Sequence, residues 1–103
     1  MEHTEFDQHK RPKVGVGLML LNEYDEVLTS QRLKPGGPFH EKWQFPGGYM
    51  EFGETFADAA SRETLEETGA LIDPSRIKYL CTSNVMDLDI GYHNVGISLA
   101  AQI

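Results

Sequence analysis

The apolar positions of this chain fall into short strand-like runs around one helical stretch. Lys13–Leu21 is rich in β-branched and aliphatic residues, which predicts a mostly buried strand, and Gly15 and Gly17 at alternate positions leave one face of it bare. A polar turn at 22–26 followed by strand-like residues at 27–32 predicts a hairpin. Shorter apolar runs predict strands at 43–45, 77–82 and 95–101.

The clearest local signal is a helix over residues 55–68. Thr55 is a candidate N-cap with Asp58 as its capping-box partner, and Gly69 is placed to end the helix in a left-handed conformation. The proline- and glycine-rich residues 34–42 predict a surface loop, and Pro46, Gly47 and Gly48 are expected to stop the strand at 43–45. Strands alternating with a helix indicate an α/β fold with a mixed sheet.

The second half of this helix carries an acidic face. With Glu63 at the origin of a helical wheel, Glu66 and Glu67 lie within about 60° on either side of it. The apolar residues of the first two turns, Phe56, Ala59 and Ala60, project to the same side. A solvated acidic face is the ordinary explanation of such a charge run, but it would lie opposite the apolar residues.

The acidic face has an energetic cost that a bound cation would remove. Like charges at i,i+3 and i,i+4 repel by roughly 0.2–0.5 kcal/mol per pair, and glutamates near a helix C-terminus oppose the macrodipole. A hard divalent cation such as Mg²⁺ takes oxygen ligands from a few carboxylates and keeps positions for water and phosphate. The sequence therefore favours a metal site, and the absence of clustered His or Cys argues against zinc.

Composition restricts the class of protein further. The 103 residues are within the size of one domain, with residues 1–11 expected to be a flexible leader and residues 12–103 the domain. The net charge of −7 opposes binding to a nucleic-acid duplex or an anionic membrane, and no apolar run is long enough to cross a bilayer. A single cysteine, Cys81, allows no intrachain disulfide, which fits a cytoplasmic protein.

The spacing of charged residues and glycines resembles the Nudix box of the MutT-like Nudix hydrolases. Gly48, Glu54, Arg62-Glu63, Glu66-Glu67 and Gly69 fill its fixed positions, while Thr64 and Ala70 stand where the pattern has aliphatic residues. The segments RPKVGVG, WQFPGGYMEFGET, RETLEET and YHNVGIS are similar to the branch of nucleotide triphosphate diphosphatases that act on thiopurine and other modified nucleotides. The resemblance implies a mixed sheet sandwiched by helices, here lacking the C-terminal strands and helix.

The resemblance also implies roles for individual residues. The catalytic group is expected to comprise Glu54, Arg62, Glu63, Glu66 and Glu67. Glu63 and Glu67 would bind the cation, helped by Glu66 and the backbone carbonyl of Gly47, while an ion pair between Arg62 and Glu54 orients the glutamates. The cation would be Mg²⁺, with Mn²⁺ as a substitute. No acidic residue follows Asp89, so the general base is open between a box glutamate and a group outside this chain.

Four residues are predicted to contact a small nucleotide substrate. Arg32 suits a phosphate, although a solvated surface arginine fits equally well. Gln44 and Phe45 could meet a base, with Phe45 as readily a core residue, and Gly48 completes the set. The expected reaction is hydrolysis of a nucleoside triphosphate to the monophosphate and pyrophosphate. Hydrolysis of a nucleotide sugar, dinucleotide or cap, or a binding module without turnover, remain alternatives, and a homodimer is considered for the assembly.

Overall fold

A computed structural model describes residues 11–31 and 43–103 as strands around one α-helix. The strands are β1 (Lys13–Leu21), β2 (Ser30–Gln31), β3 (Trp43–Gln44), β4 (Gly47–Tyr49), β5 (Lys78–Asp87) and β6 (Tyr92–Gln102). The helix α1 spans Phe56–Thr68, and short 3-10 helices span Pro74–Arg76 and Leu88–Ile90. None of the helices in these ranges is long and apolar enough to cross a membrane.

The main sheet has the strand order β4-β1-β6-β5 and is mixed, as predicted. β1 runs parallel to β6, whereas β4 and β5 pair antiparallel with β1 and β6 respectively. β2 and β3 form a separate two-stranded sheet. β4 and β5 are therefore the edge strands of this sheet, and β1 and β6 lie between them.

Alternation along β1 and β6 builds the core on one face of the sheet. The parallel register places Val16 beside Ile97 and Leu18 beside Leu99, and these side chains are at most 6% exposed. Ala59 and Ala60 of α1, both fully buried, belong to the same core cluster. The small alanine side chains let the helix lie close to the sheet.

The predicted helix and both of its caps are confirmed. Thr55 Oγ1 accepts from the Asp58 amide at 3.1 Å, and the Thr55 amide donates to the Asp58 carboxylate at 3.3 Å. Gly69 ends the helix at φ 79°, in the left-handed region that favours glycine. The apolar face differs from the prediction: Phe56 is 40% exposed, and fully buried Thr64 follows the alanines on the packed side.

Two strand predictions hold only in part. A short hairpin is present, since Leu21 and Val27 form an antiparallel bridge and the Leu28 amide donates to the Leu20 carbonyl at 3.0 Å, but residues 30–31 pair with β3 and not with β1. Gly47 and Gly48 do not simply stop a strand but form β4 with Tyr49 along the edge of β1. The strands predicted at 77–82 and 95–101 exist and are longer than expected. Residues 1–10 of the predicted leader and the predicted loop lie outside the described residues.

Candidate functional site

An arginine on the first half of α1 ties the helix to the loop before it. Arg62 Nε and Nη2 donate to the two carboxylate oxygens of Glu54 at 2.6 and 2.9 Å, a bidentate ion pair. The backbone amide of Glu51 also donates to Glu54, at 2.8 Å. Gly53, at φ 91°, provides the left-handed turn that brings Glu54 back to the helix. The predicted pairing of Arg62 with Glu54 is therefore present.

The same guanidinium reaches three further acceptors around the acidic face. Nη1 donates to Glu63 at 2.8 Å and lies 3.5 Å from Glu66 Oε2, and Nη2 donates to the backbone carbonyl of Tyr49 at 3.1 Å. The side chains of Glu63 and Arg62 are 16% and 24% exposed, whereas that of Glu66 is 57% exposed. One half-buried cation thus positions Glu63 closely and leaves Glu66 free to change rotamer at low cost.

The ion pair shifts the pKa values of both partners further from neutrality. The Arg62 hydrogen bonds, supported by the Glu51 amide, lower the pKa of Glu54 from 4.5 to about 2. The carboxylates of Glu54 and then Glu63 raise the pKa of Arg62 above its already high ordinary value. Glu54 therefore stays ionised at neutral pH and serves as a fixed anchor, not as a proton donor.

The outer edge of β4 faces the acidic face of α1. Leu18 donates to Pro46 and Met50 donates to Val14, so residues 46, 48 and 50 turn their backbone groups toward β1. Strand alternation turns those of Gly47 away, and the Gly47 amide donates to Glu67 Oε1 at 3.0 Å. The Gly47 carbonyl lies on this same edge, where it was predicted to contribute a metal ligand.

Glycine at positions 47 and 48 makes the close approach of strand and helix possible. A Cβ on Gly48 would lie 2.5–2.6 Å from the carboxylate atoms of Glu63. A Cβ on Gly47 would lie 2.0 Å from the backbone oxygen of Val16, so a side chain there would push β4 off β1. Both glycines are thus required by contacts and not by a turn.

The structure brings the predicted acidic residues and the two glycines together but not every predicted substrate contact. Gln44 is half-buried on β3, in the small sheet. Phe45 is 44% exposed, which leaves its ring open to a ligand and excludes a core role. Arg32 lies outside the described residues. Two further contacts of Arg62 were not predicted: the Tyr49 carbonyl and a fourth carboxylate, Glu51, at 3.7 Å. Strand edges and loop contacts leave no periodic signal in the sequence.

The oxygen atoms at this edge are of the types that bind a hard divalent cation. They are carboxylate oxygens of Glu63, Glu66 and Glu67 together with a backbone carbonyl, which is the ligand set that Mg²⁺ and Mn²⁺ prefer. In residues 11–31 and 43–103, no three His, Cys, Asp or Glu side chains already converge on one point. Convergence requires rotation of exposed Glu66 and Glu67, whose carboxylates now reach Arg62 and the Gly47 amide.

The opposite face of the sheet carries a glycine-lined surface, and the sequence predicts only part of it. Gly15 and Gly17 lie on this face, as predicted, and nothing lies within 4 Å of a Cβ on Gly17. Gly96 lies beside Gly15 on β6, and Gly47 lies beside Gly17 on β4. The Asn94 amide oxygen is buried over Gly15 without a hydrogen-bond partner. A buried unpaired amide oxygen costs free energy, and no sequence pattern predicted it.

Comparison with known families and solved structures shows which proteins this chain is similar to. A model described as NUDIX domain matches residues 11–92. The chain is similar to a MutT/nudix family protein from Enterococcus faecalis, with 35% identity and a TM-score of 0.79 over 96% of this chain and 39% of that protein. It is also similar to a MutT NUDIX hydrolase from Burkholderia pseudomallei, with 28% identity and a TM-score of 0.79 over 90% of this chain and 68% of that protein.

A third solved structure shares the fold at lower identity. It is the NUDIX domain of Shewanella oneidensis NrtR complexed with ADP ribose, with 24% identity and a TM-score of 0.75 over 97% of this chain and 67% of that chain. The chain thus spans well under half of the Enterococcus protein and about two thirds of the other two.

Proposed function

Because this chain belongs to the NUDIX domain family of Nudix hydrolases, we propose that it hydrolyses a phosphoanhydride bond of a nucleotide with the help of Mg²⁺, for which Mn²⁺ can substitute. The single observation that carries the proposal is the edge of β4, where Gly47 and Gly48 lie against Glu67 and Glu63 of the acidic helix face. This edge combines a backbone carbonyl, carboxylates and a half-buried arginine in one place. Such a set serves charge neutralisation and positioning, which are what phosphoryl transfer to water requires.

Each residue at the edge has a proposed part. Glu63, Glu66 and Glu67 and the Gly47 carbonyl would hold the cation, which when bound supplies charge neutralisation at the phosphates and an activated water. Arg62, fixed by Glu54, holds Glu63 in place beside Gly48 and keeps the helix at a constant distance from β4. The contact between Arg62 and the Tyr49 carbonyl links the same guanidinium to the strand itself.

The glycine-lined face supports a place for the nucleoside. A substrate with its phosphates at the outer edge of β4 can continue over the backbone of Gly47 and Gly17, which are neighbours in register and carry no side chains. Asn94 lies on the same face of the sheet, with its amide oxygen buried over Gly15. Gln44 and exposed Phe45 remain proposed contacts on the segment before β4.

The favoured substrate is a nucleoside triphosphate, cleaved to the monophosphate and pyrophosphate. The resemblance of short sequence segments to the diphosphatases of modified nucleotides favours a modified purine nucleotide as the more specific proposal. A nucleoside-diphosphate-linked compound is the second candidate, since the Shewanella domain with the same fold is complexed with ADP ribose. The cytoplasm remains the predicted compartment.

A hydrolysis screen tests the proposal. The chain is incubated with (d)NTPs, oxidised and thiopurine dNTPs, nucleotide sugars and dinucleotides, with Mg²⁺, Mn²⁺ or excess chelator, and the products are identified. We expect metal-dependent release of a nucleoside monophosphate from a triphosphate. Turnover restricted to nucleotide sugars or dinucleotides would select the second candidate. Metal-dependent nucleotide binding without product would establish a binding module, and full turnover in chelator would contradict the metal site.

A further inference from the structure

The edge of the sheet farthest from the candidate site is β5, a long strand whose outer side has no partner among the described residues. β5 pairs with β6 on one side only among the described residues, and all ten of its residues are exposed. Its exposed apolar side chains include Tyr79 (57%), Leu80 (48%), Val85 (44%) and Met86 (57%). Edge strands are ordinarily protected by charges, prolines or short length. Here the only charged residues are Lys78 and Asp87, at the two ends.

A bulge in β5 gives this edge an internal symmetry. Tyr79 pairs with Leu99 and Cys81 with Ser98, so Leu80 is an extra residue that shifts the register. Because of that extra residue, Lys78 and Asp87 lie on the same face of the sheet, although regular alternation would place them on opposite faces.

We propose that β5 pairs antiparallel with β5 of a second copy of this chain, around a two-fold axis through Ser83. A two-fold axis perpendicular to a sheet requires that each pair of facing residues comes from the same face. With Leu80 bulged out, the register around Ser83 meets this requirement at every pair. The facing pairs are Lys78 with Asp87, Tyr79 with Met86, Cys81 with Val85, Thr82 with Asn84, and Ser83 with itself.

The pairs that this register creates are complementary. Lys78 of each copy meets Asp87 of the other, so two opposite-charge pairs close the two ends of the ribbon. Tyr79 meets Met86 on the side of the sheet that carries α1, a sulfur–aromatic contact between two side chains that are each more than half exposed. Pairing also satisfies the outward backbone groups of β5.

In the proposed dimer, the candidate functional site of each copy stays accessible. β4, which carries Gly47 and Gly48, is the opposite edge of the same sheet, so two sheets joined at β5 keep their β4 edges at the two ends of one eight-stranded sheet. The proposal does not depend on the proposed hydrolase activity, and dimerisation is expected to leave turnover per chain unchanged.

A cross-linking experiment tests the axis directly. Facing residues of an antiparallel pair have Cα atoms roughly 4.5–5.5 Å apart, which is within the range that a disulfide bridges. In a Cys81→Ser background, Ser83→Cys should form a covalent dimer under mild oxidation. Ser75→Cys, which is also exposed and lies on the 3-10 helix Pro74–Arg76, is the matched control and should stay monomeric. Cross-linking of Ser83→Cys no faster than of Ser75→Cys would overturn the proposed axis.

Charge reversal tests the same interface without new cysteines. Sedimentation equilibrium up to roughly 1 mM protein detects even a small, weak interface. Lys78→Glu should weaken the dimer about tenfold or more, because two symmetry-related pairs change from attraction to repulsion. Adding Asp87→Lys should restore it, while Lys13→Glu, with the same change in net charge, should have little effect. A monomeric wild type at all concentrations, or a double variant no tighter than Lys78→Glu, would refute the proposal.

Discussion

The buried hydroxyl of Thr64 offers a sharp test of the packing between α1 and the sheet. Thr64 is fully buried and its Oγ1 has no hydrogen-bond partner. The Nudix-box pattern that the sequence resembles has an aliphatic residue at this position. Thr64→Val keeps the shape and replaces the unpaired hydroxyl by a methyl group. Since an unsatisfied buried polar group costs about 1–3 kcal/mol and the two residues have similar helix propensity, unfolding free energy should rise by about 1–2 kcal/mol.

Thr68→Val is the matched control, with the opposite expected sign. Thr68 Oγ1 donates to the Thr64 carbonyl at 2.7 Å and accepts from the Ala70 amide at 3.1 Å, so its loss should cost about 1 kcal/mol. Urea unfolding of both variants, followed by circular dichroism, measures the two changes. Tm should shift by roughly 4–8 °C per kcal/mol in a domain of this size. A change within about ±0.5 kcal/mol for Thr64→Val, or the same sign in both variants, would refute the reasoning.

Three further predictions concern the edge of β4 and the arginine behind it. Gly48→Ala should fold but lower kcat/KM about 10²-fold, because the added Cβ displaces the Glu63 carboxylate. Gly47→Ala should lower the unfolding free energy by about 1–3 kcal/mol in thermal denaturation, because its Cβ meets the backbone oxygen of Val16. Arg62→Lys, which cannot form the bidentate pair, should lower kcat/KM about 10–10²-fold in steady-state kinetics. The pKa of Glu54 in the folded protein, about 2, lies below its ordinary value of 4.5. The contribution of ionised Glu54 to the unfolding free energy is therefore complete above pH 4.5 and is lost as the pH falls toward 2. In urea titrations, the difference in unfolding free energy between wild type and Glu54→Gln should close over that pH range.

Features that depend on neighbours in sequence could be predicted. The helix bounds follow from Thr55, Asp58 and Gly69, each of which acts within one turn of a helix end. The acidic face follows from helical spacing, since side chains one turn apart on a helix share a face. The pairing of Arg62 with Glu54 was an implication of the resemblance to the Nudix box, because Glu54 precedes the helix.

Features that depend on contacts between residues far apart in the sequence could not be predicted. Gly47 and Gly48 were expected to break a strand, because glycine is unfavourable in a strand unless another group must approach closely. Here that group is Glu63 on one side and the Val16 backbone on the other, and neither contact is visible in a single sequence. The exposure of Phe56 likewise depends on which side of the helix packs against the sheet. A helical wheel drawn from the sequence does not determine that side.

The central claim is that the carboxylates facing β4 form the metal-binding, hydrolytic site, and Glu67→Gln tests it most directly. The amide oxygen of glutamine can still accept from the Gly47 amide, so the contact now at 3.0 Å is kept while the charge is lost. Using the best substrate from the screen, kcat/KM at saturating Mg²⁺ should fall at least ~10²-fold, or roughly 2.7 kcal/mol, with unchanged folding. Glu23→Gln, an exposed change of the same kind outside the helix, should leave it unaltered. Wild-type turnover and Mg²⁺ dependence in Glu67→Gln would contradict the account.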